Sequence, residues 1–83
     1  MSTVDTTLID LRKARDTEIE SVVSRVYDAL LEKGYNPVSQ FVGYIMSGDP
    51  TYITSHKSAR SLITKVERDE ILNVVFRKYF TEK

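Results

Sequence analysis

The 83-residue chain predicts an all-α fold, a small compact bundle of about four helices. Three observations lead there. Apolar residues from Ile19 onward recur at helical spacing, each of two glycine stops is followed by a proline start, and the last apolar segment covers an arc of about 240° at 100° per residue.

The first helix is expected to start at Thr17. Thr17 and Glu20 have capping-box spacing, in which the hydroxyl accepts from the backbone N–H three residues on and the carboxylate reaches back. Ile19, Val22, Val23, Val26, Tyr27, Leu30 and Leu31 then form one apolar face, and Glu18, Arg25, Asp28 and Glu32 form a solvated one. Gly34 stops the run at the left-handed position after a helix.

Asn36 and Pro37 open the second helix, Asn36 as cap and Pro37 at the first helical position, where its missing N–H costs nothing. Val38, Phe41, Val42, Ile45 and Met46 follow at helical spacing, and Gly48 ends the run. Asp49-Pro50 repeats the same starting device for a single turn over Thr51-Tyr52-Ile53. Gly43 remains in mid-helix, at a cost of about 1 kcal/mol relative to Ala, which implies close approach of another backbone or a ring.

A third helix is expected from about Ser55 to Val66, with Ala59, Leu62, Ile63 and Val66 inward. The period shifts at Glu67-Arg68-Asp69-Glu70, where Asp69 caps a fourth helix or the third one bends. Ile71, Leu72, Val74, Val75, Phe76, Tyr79 and Phe80 make the wide arc, more than the ~100° stripe a surface helix buries. Together with a second helix almost free of charge, that surplus predicts a homodimer, the commonest way for a short chain to gain burial. Residues 1–16, with Ser2, Thr3, Thr6 and Thr7 crowded together, are expected to be a flexible N-terminal tail, and 17–83 a single helical domain.

Composition narrows the chemistry. With no cysteine and one histidine, His56, there is no disulfide framework, no thiolate metal site and no His-rich one, so neither metal nor cofactor is expected. Twelve basic residues balance twelve acidic ones, which removes the electrostatic footprint of a general nucleic-acid binder. The balance hides a polarity: residues 1–50 carry five Lys/Arg against eight Asp/Glu, and 51–83 carry seven against four. No segment approaches ~20 apolar residues, and a soluble, cytoplasmic protein without membrane insertion is expected.

The Gly/Pro stretch is no phosphate loop, because no lysine follows a glycine and GxGxxG is absent. His56, Lys57 and Arg60 share a helix face in the expected third helix and form a candidate anion-binding patch, against the plainer reading of a solubilising surface. Glu67, Asp69 and Glu70 resemble a general acid/base set but suit a helix start equally, and no Ser/His/Asp arrangement can be built. A non-enzymatic protein is expected. The tail hydroxyls are candidate phosphorylation sites, since a phosphate adds about −1.5 to −2 charge that Arg12, Lys13 and Arg15, or the patch at His56, could receive.

The run KGYNPVSQFVGYIMSGDPTYITSHKSARSLITKVERDEIL resembles the IreB family of small regulatory phosphoproteins, with the likeness spanning about residues 26–80. The resemblance implies a helical homodimer with a flexible tail, phosphorylated on threonine by a membrane-anchored Ser/Thr kinase and reversed by a phosphatase. It also implies negative regulation in the cell-envelope stress response, through a downstream protein it does not identify. Asp5 and Thr7 match the family's tail pattern, which makes Thr7 the leading phosphoacceptor. The family's other tail threonine falls at Val4, flanked by Thr3 and Thr6 as substitutes, and Thr54-Ser55 stand where many relatives have Pro-Arg. The alternative from another class is a helical nucleic-acid binder using Lys57, Arg60, Lys65 and Arg68.

Overall fold

The computed structural model describes the backbone of residues 3–82 and the side chains of residues 11–82. Four α-helices, α1 (Thr3–Glu32), α2 (Pro37–Ser47), α3 (Ala59–Ile63) and α4 (Arg68–Thr81), are joined by 3-10 turns at Pro50–Tyr52 and His56–Ser58. Among the described residues there is no strand.

The first helix begins well before Thr17. It is continuous from Thr3, about 45 Å long at 1.5 Å per residue, so Thr17 is an interior residue and not a cap. Both local and distant pairing explain the extension. Arg15 donates to Glu18 one turn on at 2.9 Å, and ion pairs from Arg15 and Asp16 to α4 hold this part of the helix against the body. The end is as expected: Gly34 has φ +81°, its N–H donates to Leu31 O, and Tyr35 N–H donates to Leu30 O at 2.9 Å, which is a Schellman stop.

At the start of α2 the Asn36 side chain accepts from Ser39 N–H at 3.1 Å and Pro37 takes the first turn. Gly48 closes the helix with φ +71°, its N–H on Tyr44 O at 2.7 Å. Asp49 then caps the next turn by accepting from Thr51 N–H at 3.0 Å. A Cβ at Gly43 would fall inside the van der Waals shell of the Tyr52 ring, which is the close approach that the glycine implies. The amide of Gln40 fixes the same residue from beside it, donating to Tyr52 O at 2.7 Å.

The third helix is shorter than its periodicity suggests. Lys57 (φ 52°) and Ser58 (φ 61°) are left-handed, a conformation disfavoured by about 1–2 kcal/mol per residue, and they break the expected Ser55–Val66 run into a turn and a five-residue helix. A turn over 64–66 follows, and α4 begins at Arg68 with Glu67, not Asp69, at the N-cap. The fourth helix is therefore separate.

Ile19, Val26 and Leu30 of α1 bury against Ile53, Ala59 and Ile63, with Val66, Ile71 and Val74 closing the core from the α4 side. Each fully buried aliphatic chain contributes about 1.5–3 kcal/mol. The apolar faces are only partly used. Tyr44 of α2 is buried, while Val38, Val42 and Met46 are 69%, 55% and 80% exposed. On α1 the same split leaves Tyr27 and Leu31 half exposed.

Candidate functional site

Two features draw functional interest: a charged seam between α1 and α4, and an apolar groove between α1, α2 and α4. Arg15 is the hub of the seam. Its guanidinium donates to Glu70 at 2.7 and 3.0 Å, to Glu18 at 2.9 Å and to the Lys65 carbonyl at 3.5 Å, so one side chain ties α1 to the turn before α4 and to its first turn. Glu70 also accepts from Glu67 N–H at 2.9 Å, the back-reaching arm of a capping box. Held by Arg15 first and by that backbone N–H second, its carboxyl is pushed down to about 2, while the Arg15 guanidinium is driven further up by the same partner. Arg77 repeats the device with two bonds to Asp16 at 2.9 and 3.1 Å, which holds Asp16 below the usual carboxylate range.

The three carboxylates considered for acid/base work are thus placed at a helix start. Glu67 is the cap, Glu70 is engaged by Arg15, and Asp69 accepts from Glu70 N–H at 3.0 Å. This is work that the exposed N–H groups of a helix start ask of carboxylates.

His56, Lys57 and Arg60 do not converge on one empty spot. His56 Nε2 lies 2.9 Å and Lys57 Nζ 3.0 Å from the same Glu32 oxygen at the end of α1, and their bonds are the leading causes of Glu32's lowered pKa. Arg60 turns away to donate to Ile53 O at 2.8 Å. Any incoming anion would compete with the Glu32 carboxylate. Of the cations in the nucleic-acid alternative, Lys57 and Arg60 are engaged in this way, and Arg68 donates to Ile45 O at 2.8 Å at the end of α2. The side chains of Thr3, Thr6 and Thr7 lie outside the described ones.

The groove has a volume of about 440 Å³, and no charged residue lines it. Val38, Val42 and Met46 form one wall from α2, Leu72 and Val75 form another from α4, and Tyr27 sits between them on α1. Beyond it on α4, Phe76 stacks on Phe80 at 6.0 Å and Tyr79 meets Phe80 edge-on at 5.5 Å, all three more than half exposed. Helical spacing identified these residues as apolar but not as one surface, because the groove joins three elements distant in sequence. The partnership of Asp16 with Arg77 had no local signal either. Among the described residues, no helix is long and apolar enough to cross a membrane, and no group of His, Cys, Asp and Glu could hold a metal ion.

The family model described as IreB regulatory phosphoprotein matches residues 4–81. The chain is similar to the UPF0297 protein of Acetivibrio thermocellus, 52% identical over 82 residues that cover 99% of this chain and 91% of the relative. It is also similar to the UPF0297 protein of Lachnoclostridium phytofermentans, 61% identical over 69 residues, 83% of this chain and 78% of that one.

Proposed function

The chain belongs to the IreB regulatory phosphoprotein family, and from that premise we propose that it acts as a non-enzymatic cytoplasmic regulator, a homodimer whose N-terminal segment is phosphorylated. The writer is a transmembrane Ser/Thr kinase, the eraser its partner phosphatase, and the output negative regulation in the cell-envelope stress response. Thr7 is the leading acceptor, with Thr6 and Thr3 as secondary ones. A kinase cleft takes an extended segment, so modification requires the first turns of α1 to open, and helix ends open at low cost.

The observation that carries the self-association is the α2–α4 face. Val38, Val42, Met46, Leu72 and Val75 are each between 39% and 80% exposed and continue onto the Phe76, Tyr79 and Phe80 cluster. Together these eight side chains make one continuous exposed apolar face, the kind of patch that marks an interaction surface. Lone soluble chains seldom leave a patch that large open to water. Charged residues are absent from the groove lining, which favours a self-complementary occupant over a partner selected by charge.

Sedimentation of the full chain, wild type against Val42→Asp, tests the assembly. Wild type should run as a dimer and the variant as a single subunit with unchanged helical circular dichroism. A wild type that sediments as a monomer at tens of micromolar, or a variant that still dimerises, would refute the role given to this face.

A further inference from the structure

Arg60 is fixed at one edge and open at the other. Its Nε donates to Ile53 O at 2.8 Å, while among the described residues its two Nη groups have no hydrogen bond and no ion pair. Arg60 lines a hollow of about 420 Å³ with Pro50, Ser55, Ser58, Ser61 and Thr64. The Thr64 hydroxyl donates to Ser61 O at 2.7 Å, which leaves the hydroxyls of Ser55, Ser58 and Ser61 without a partner among the described residues. No carboxylate stands in the wall. Asp49 lies close enough to respond to Arg60, but it is held below the usual carboxylate range first by Thr51, whose N–H and hydroxyl it accepts at 3.0 and 2.7 Å. A guanidinium fork beside hydroxyl donors, with no acid in the wall, is complementary to a phosphomonoester, which brings three acceptor oxygens and a charge of about −1.5 to −2.

A phosphate acceptor is tethered within reach. Arg15 Nη2 lies 3.5 Å from Lys65 O, so the seam between α1 and α4 ends beside Thr64 at the edge of the hollow. From Lys65 back to Arg60 is about 10 Å, at 1.5–2.0 Å for each residue of helix and turn. Thr7 stands eight positions before Arg15, and that length of extended chain spans up to ~26 Å. Residues 11–14 are all exposed, so unwinding α1 over them breaks no core contact.

We propose that Arg60, with Ser58 and Ser61, forms a phosphomonoester site, and that its ligand is the phosphate on Thr7 of the same chain, drawn back over α3 once the start of α1 has opened. The source of the phosphate rests on the reading of Thr7 as the acceptor; the site itself does not.

The test is NMR on the nitrogen-15-labelled full chain with phosphothreonine genetically encoded at position 7. Against the unmodified chain, the Arg60 Nε–H and the amides of Ser58 and Ser61 should shift. Arg60→Lys, which keeps the charge and loses the fork, and Ser61→Ala, at an exposed position, should each remove most of that response. Millimolar inorganic phosphate should move the same signals in the unmodified chain but not in the phosphorylated one, whose tethered phosphate already fills the site at a comparable effective concentration. Unmoved signals at residues 58–61 in the phosphorylated chain overturn the proposal, and so does an undiminished response in Arg60→Lys or Ser61→Ala with wild-type circular dichroism. A phosphorylated chain that still takes up inorganic phosphate at this site overturns Thr7 as the source, leaving a free anion. Labelled unmodified chain mixed with unlabelled phosphorylated chain should stay unshifted; movement there gives the phosphate to a second copy and overturns the same-chain assignment. A cognate kinase that leaves Thr7 unmodified removes the function proposed above, while the encoded phosphothreonine still decides the site.

Discussion

Arg15 and Glu70, 55 positions apart in the chain, are joined by two hydrogen bonds of 2.7 and 3.0 Å, and the same Glu70 carboxylate caps the helix that carries it. The pair therefore connects docking of α1 to the integrity of the first turn of α4. Glu70→Ala removes both functions and Arg15→Ala only one, so thermal melting should show the larger loss for Glu70→Ala. Hydrogen exchange should rise at residues 12–18 in both variants, but at the α4 start mainly in Glu70→Ala. Equal midpoints would mean that the cap contributes nothing.

Stability should fall on the acid side. Glu70 titrates near 2 in the folded chain against 4.5 for the free side chain, and Asp16, Glu32 and Asp49 are shifted the same way. A carboxyl whose folded pKa lies below its unfolded value stabilises the fold fully above the unfolded value and loses that contribution as pH falls through the folded one. The midpoint of urea unfolding should therefore be flat above about pH 5 and decline between 4.5 and 2. The decline should be shallower in Glu70→Gln.

Gly43→Ala would ordinarily gain about 1 kcal/mol in a helix. Here the new methyl meets the Tyr52 ring, whose carbonyl is also fastened to Gln40, and the expected result is a net loss of about 1–3 kcal/mol, as for other overpacked sites. Combining it with Tyr52→Ala should recover the helix-propensity gain, so the two changes are non-additive in denaturant melts. Additivity would show that the ring moves aside freely.

Leu30→Ala should cost about 2–5 kcal/mol, because the side chain is fully buried and its removal leaves a cavity in the core. Val38→Ala, at 69% exposure, should change the stability of an isolated subunit by less than about 0.5 kcal/mol. Melting curves at low protein concentration, where self-association is absent, make the comparison clean.

Thr7→Ala should remove the main phosphate added by the cognate kinase domain, read by mass spectrometry of the intact chain. Any residual single modification should map to Thr6 or Thr3. Full modification of the variant at a residue outside 1–16 would move the switch elsewhere.

The parts of this fold legible in the sequence are those written locally. The Gly34 stop, the Asn36-Pro37 start, the Gly48 stop and the Asp49-Pro50 turn each need only a few neighbouring residues, and all four stand where spacing puts them. Errors arose where distant residues decide. Thr17 and Glu20 have the spacing of a cap, but Arg15 and Asp16 find partners on α4, and Val4, Leu8, Leu11, Arg15 and Ile19 continue one helical period through the polar stretch. The kink at Lys57 and Ser58 likewise has no glycine to announce it, and Glu32, 25 positions before Lys57, pairs with Lys57 there. For the groove, the surplus of apolar arc was readable, whereas its assembly from three helices was not.

Gly34 and Gly48 share a left-handed backbone but not a neighbourhood. Nothing lies within 4 Å of where a side chain at 34 would start, while at 48 the Arg68 guanidinium carbon is 2.9 Å from that point and its Nη1 donates to Ile45 O. Asparagine, which accepts this backbone hand, should thus survive selection at the first site and be purged from the second. In a saturation library the two positions, indistinguishable by torsion angle, would separate by the presence of a single arginine.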